Sequence, residues 1–183
     1  MTYRFRTLYN LGGYLSAACL ILICTLITTQ IIGRIIDRIA MAIGGDRIGL
    51  AIPGLAEVSG FLLVGASFLG LAYTFVNGAH IRVTLLIGRL PMHLRVYVEA
   101  FCLAVSLALC LYLAWYLYWL IADSIAFGET SYGLISIPLW IPQSAMLLGV
   151  LLFCLALGEV FVQTLFTALH RPASFTIDDR PPL

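Results

Sequence analysis

The sequence predicts an all-α integral membrane protein with four transmembrane helices. Three observations predict it. Of 183 residues, 62% are hydrophobic and only 10% are charged, whereas a soluble domain carries about 25% charged residues. The apolar residues gather in four long runs free of Asp, Glu, Lys and Arg. Those runs are continuous, where the strands of a membrane barrel alternate. A soluble globule of this size needs a partly polar exterior, so the remaining solvent for these runs is lipid.

The first run spans residues 7–33, between Arg6 and Arg34. A crossing needs about 20 apolar residues, and the run predicts a helix at about 11–33. It exceeds the usual apolar stretch of a cleaved signal and no A-x-A site follows, so it reads as a retained helix. Residues 31–42, which overlap the end of that run, read IIGRIIDRIAMA. Arg34, Asp37 and Arg38 alternate with isoleucines at helical period. The segment either extends the first helix or lies in the membrane interface.

The second run, 58–79, predicts a helix at about 56–78. Glu57 stands at its start, where the helix dipole favours a carboxylate. Gly60, Gly65 and Gly70, with Ala66 and Ser67, make the helix narrow, which permits close helix packing in lipid. Residues 81–97 then read IRVTLLIGRLPMHLRVY. Arg82, Arg89 and Arg95 punctuate leucines there, and Pro91 interrupts them, as in an interfacial stretch that meets anionic headgroups.

The third run, 100–122, predicts a helix at about 97–121 with Glu99 at its start. Tyr112, Trp115, Tyr116, Tyr118 and Trp119 cluster near its end, as aromatic residues do at a membrane boundary. The fourth run, 130–158, predicts a helix at about 138–164. Glu159 follows Pro138 by 21 residues, about 30 Å along a helix, and so falls at the opposite interface as a solvated helix end. Residues 1–168 form one transmembrane domain on this reading. Residues 169–183, with Pro172, Pro181 and Pro182, form an unstructured cytoplasmic tail.

Arginine placement gives the orientation. All ten basic residues are arginine. Seven (Arg4, Arg6, Arg82, Arg89, Arg95, Arg171, Arg180) share the side of both termini, and three (Arg34, Arg38, Arg47) lie opposite. The positive-inside rule then puts both termini in the cytoplasm.

Little in the chain points to chemistry of its own. The net charge of +1 gives no field for nucleic acid. His80, His93 and His170 lie at or beyond span ends, which disfavours a haem held inside the bundle. Cys19, Cys24, Cys102, Cys110 and Cys154 sit within apolar runs without C-x-x-C spacing, as packing residues rather than metal ligands or disulfides. No phosphate loop, H-E-x-x-H or nucleophile elbow occurs. The pairs Gly12-Gly13 and Gly44-Gly45 are too short to count as motifs. No catalytic residue, metal site or cofactor is expected, and no enzyme activity.

Residues 57–91 read EVSGFLLVGASFLGLAYTFVNGAHIRVTLLIGRLP. An acid opens the second helix at Glu57, Phe68-Leu69-Gly70 stands in mid-helix, Gly78 to Val83 reads G-A-H-I-R-V, and Leu90-Pro91 follows. Residues 130–140 read TSYGLISIPLW, with Ile137-Pro138 and Trp140 at the entry to the fourth helix. In order and spacing these blocks resemble the DctQ-like small permease subunits of tripartite ATP-independent periplasmic (TRAP) transporters, over roughly residues 10–168. Ala56 and Thr84 stand where that family often has further acids.

The resemblance implies a small subunit in the bacterial inner membrane. Its partners would be a large permease subunit, a periplasmic substrate-binding protein and membrane lipids. The large subunit would carry the substrate, an organic acid, and the sodium sites; the small one would scaffold it. Glu57, Gly70, His80, Arg82, Pro138 and Trp140 are the motif or interface residues that the resemblance singles out. The alternative from another class is the membrane anchor of a respiratory or redox complex, and a third is a small self-sufficient transporter.

Overall fold

A computed structural model describes residues 3–44, 49, 53–77 and 92–170. Four α-helices carry the fold: α1 (Arg6–Ala42), α2 (Leu55–Val76), α3 (Met92–Ala126) and α4 (Trp140–His170). All four are long and apolar enough to cross a membrane, and among the described residues there is no strand beyond one isolated bridge.

Three helices run past their predicted ends. The amphipathic residues 31–42 continue α1 without a break, which settles the alternative left open by the sequence. At about 1.5 Å per residue its 37 residues span about 55 Å, longer than the 40–45 Å of a bilayer with its headgroup regions. α3 begins at Met92, so Glu99 lies two turns inside the helix rather than at its start. α4 begins at Trp140 and runs to His170. The tail expected at 169–183 lies outside the described residues from 171 onward, as do His80 and Arg82 and the blocks at 78–83 and 90–91.

The helices form a row. α2 and α4 pack at the centre, α1 flanks α2, and α3 flanks α4. Small residues hold the seams, as expected where lipid supplies no hydrophobic drive between helices. A Cβ on Gly12 would lie 2.8 Å from the Leu69 carbonyl oxygen, and one on Gly13 would lie 2.6 Å from the Tyr73 ring. Gly149 of α4 meets the backbone of α2 so closely that a Cβ there would overlap the Phe68 carbonyl group. The Ser16 hydroxyl donates to the Ala66 carbonyl at 2.6 Å, adding a hydrogen bond between α1 and α2.

Two buried clusters fill the row. Ala114 and Leu117 of α3 pack with Val150 and Cys154 of α4, against Phe68 and Cys110. Tyr9, Ala72 and Ala156 form the second, with Leu152 and Phe75 around them. Large side chains point outward instead: Leu20, Ile21, Phe101 and Leu109 are all more than half exposed. The exterior is thus more apolar than a soluble protein tolerates, which identifies lipid as its solvent.

Candidate functional site

The end of the row opposite the termini carries the most structured polar feature. Three elements meet there: the C-terminal part of α1, the start of α2 and the 127–139 connection before α4.

Gly54 caps α2 with φ 72° and its carbonyl accepts from the Glu57 and Val58 amides at 3.1 and 3.2 Å. That left-handed backbone suits glycine, and a Cβ would also lie 2.8 Å from the Ile135 side chain. The first turn of α2 is therefore pressed onto the 127–139 connection, with Glu57 in that turn.

The connection is a short hairpin. Thr130 and Pro138 form an antiparallel bridge. The Ser131 amide donates to the Ile137 carbonyl at 2.9 Å, and the Leu139 amide to the Glu129 carbonyl at 3.1 Å. The buried Ser124 hydroxyl donates to the Glu129 carboxylate at 2.9 Å, tying the hairpin to the end of α3. Pro138 closes the hairpin, and its carbonyl accepts from the Ile141 amide at 3.3 Å as α4 begins. The hairpin's hydrogen bonds run through the Ile137 carbonyl and the Leu139 amide, so Pro138 owes no donor to the bridge, which gives it a structural reason for its place, while Trp140 is the first residue of α4.

Between these elements lies an open cleft of about 710 Å³, lined by Gln30 and Arg34 of α1, Glu57, and Gly133 and Leu134 of the hairpin. Gln30 and Arg34 are four residues apart and so share a helix face. The Glu57 carboxylate rests against Gly133, where any Cβ would overlap it. Its Oε2 is buried and has no hydrogen-bond partner among the described residues. The cleft thus offers a carboxylate, an amide and an exposed guanidinium, groups suited to holding a charged ligand.

The other end carries a second polar feature. Glu159 is half-buried on α4 and accepts from the Tyr9 hydroxyl at 2.9 Å and from the Arg4 amide at 3.0 Å. Tyr3 packs edge-on against Tyr9 at 6.3 Å. Glu159 is therefore a clamp between α1 and α4 rather than the solvated helix end expected from sequence. Its partners lie 150 or more residues away, so no local signal announces them.

The six sequence candidates do not form one site. Glu57, Pro138 and Trp140 gather at the hairpin end. Gly70 lies on the seam between α1 and α2, where a Cβ would stand 2.9 Å from the Ser16 hydroxyl. His80 and Arg82 fall outside the described residues. Gln30, Arg34 and Gly133 complete the cleft and lie outside the six motif residues.

The family model for tripartite ATP-independent periplasmic transporters, DctQ component, matches residues 23–167, most of the chain and all four spans in part or whole. The chain belongs to the DctQ family. It is accordingly a small permease component of a TRAP transporter and a multi-pass membrane protein. DctQ components associate in general with a large permease and a substrate-binding protein, and the family is a transporter component rather than a known enzyme family. Neither a curated protein nor a solved structure matches the chain.

Proposed function

We propose that this DctQ component scaffolds the large transport subunit of a sodium-coupled, binding-protein-dependent transporter for organic acids and carries no substrate itself. The observation that carries the reading is the ionisable inventory of the described spans. Coupled ion and substrate pathways are commonly marked by ionisable groups or interrupted helices at membrane depth. Here the half-buried Glu159 is occupied by Tyr9 and Arg4 near one helix end, the half-buried Glu99 stands two turns into α3 toward that same end, and Glu57 and Arg34 lie at the other. The seams between helices hold Gly12, Gly70, Ala72 and Gly149 instead. A rigid row with a broad apolar exterior suits a static partner for a moving subunit.

The chain sits in the bacterial inner membrane, with seven arginines on the side of both termini against three opposite, the bias of a cytoplasmic face. The hairpin end then faces the periplasm, within reach of a substrate-binding protein. The family match displaces the redox-anchor alternative.

Co-expression with the large permease subunit tests the scaffold role. A tagged chain should retain the large subunit through detergent extraction, and its deletion should lower the large subunit's melting temperature. A large subunit that is equally stable and active without this chain would overturn the reading.

A further inference from the structure

From the cleft at the hairpin end we infer that this chain holds the headgroup of a zwitterionic phospholipid bearing a primary ammonium, the phosphatidylethanolamine class. The inference concerns groups within the chain and does not depend on the transporter role.

Depth comes first. Arg6 and Arg34 are 28 residues apart on one unbroken helix, about 42 Å at 1.5 Å per residue. That matches the 40–45 Å of a bilayer with both its headgroup regions included. No charged residue lies between them. Arg34, and the cleft it lines, therefore stand at headgroup level.

The lining supplies both halves of a zwitterion's recognition. The Arg34 guanidinium is exposed and its fork matches phosphate geometry. Glu57, which also lines the cleft, is a carboxylate whose Oε2 is buried and without a hydrogen-bond donor among the described residues. A buried carboxylate oxygen left without a donor is costly. Its charge is shared with the other oxygen, so a cation that meets that oxygen from the cleft offsets the charge of the carboxylate as a whole. An ammonium brings three N–H donors; a quaternary choline brings none and meets the carboxylate by charge alone. Gln30, one turn below Arg34, adds an amide that can donate to phosphate or accept from ammonium.

The surroundings fit a lipid rather than a free solute. Ile31 and Ile35 flank Arg34 on α1 and are 52% and 51% exposed, an apolar surface for acyl chains. Gly133 is what lets the carboxylate lie where it does, since a Cβ there would overlap it.

The test is native mass spectrometry of the full-length chain with equimolar phosphatidylethanolamine, phosphatidylcholine and phosphatidylglycerol. The chain should retain the ethanolamine lipid over the choline lipid by about tenfold, the ratio set by one charge-assisted hydrogen bond. Glu57→Gln should bring the two near parity. Gly133→Ala should do the same: it keeps the charge, displaces only a flexible side-chain end and leaves the fold intact even where Glu57→Gln does not. Arg34→Gln should weaken retention of both lipids while keeping their ratio. Glycerophosphoethanolamine, the headgroup without chains, should not displace the lipid at equal concentration. Parity in the unaltered chain, preference for phosphatidylglycerol, displacement by the free headgroup, or an unchanged ratio in both Glu57→Gln and Gly133→Ala would each overturn the assignment.

Discussion

Gly149→Ala isolates how this row of helices is held together. The added Cβ would overlap the Phe68 carbonyl group, which is backbone and cannot rotate aside. α2 and α4 must therefore separate along the central seam. Overpacking costs about 1–3 kcal/mol, and a backbone neighbour argues for the upper end, about 3 kcal/mol. For a chain of this size each kcal/mol shifts the melting temperature by about 2–4 °C, so a fall of about 6–12 °C is expected. Gly65→Ala is the matched control. Its Cβ would lie 3.8 Å from the Cys19 sulfur, ordinary contact, and alanine favours the helix by about 0.8–1 kcal/mol. Gly158→Ala points into open space and should behave like Gly65→Ala in the isolated chain. Thermal unfolding in one detergent, followed by circular dichroism, compares the three. Equal melting temperatures for Gly149→Ala and Gly65→Ala would refute the backbone-contact account of the seam.

Three further outcomes follow from particular contacts. Tyr9→Phe removes a hydrogen bond to the Glu159 carboxylate and should cost about 1.5–3 kcal/mol; a variant as stable as the parent in the same melt would show the clamp to be idle. Ser16→Ala removes the bond to the Ala66 carbonyl and should cost only about 0.6 kcal/mol, the mean for such bonds between membrane helices, so a loss above about 2 kcal/mol would mean that another role has been missed. A phosphatase reporter fused near Gly128 should be active and one after Leu183 inactive, with a cytoplasmic reporter giving the reverse; the opposite pattern would invert the orientation.

The four spans were legible because desolvation in lipid leaves a coarse signal, an unbroken run without charge. Helix ends were less legible for a physical reason. Charge-free runs mark where hydrocarbon is crossed, while backbone hydrogen bonding continues as far as local propensity allows. α1 therefore reaches Ala42 through an amphipathic stretch, and α3 starts seven residues before Glu99.

Packing was legible only as an inclination toward small residues. Gly60, Gly65 and Gly70 recur every five residues, which places them on different helix faces. Gly60 accordingly meets open space while Gly70 meets Ser16. The pair Gly12-Gly13, too short to count as a motif, turns out to be the close approach of α1 to α2. At the cleft, Glu57 announced itself as an acid at a helix start. Gly133 did not, because its requirement comes from a carboxylate 76 positions away that would overlap any Cβ placed there.

The central claim is that this DctQ component stabilises transport without performing it. Uptake of a labelled organic acid into proteoliposomes, under a sodium gradient and with the binding protein outside, tests that most directly. The account predicts uptake when both membrane subunits are present, none with this chain alone, and a loss of at least about tenfold when only the large subunit is reconstituted, as expected if the scaffold contributes about 1.4 kcal/mol or more to the working state. Gradient-driven uptake by this chain alone would contradict it.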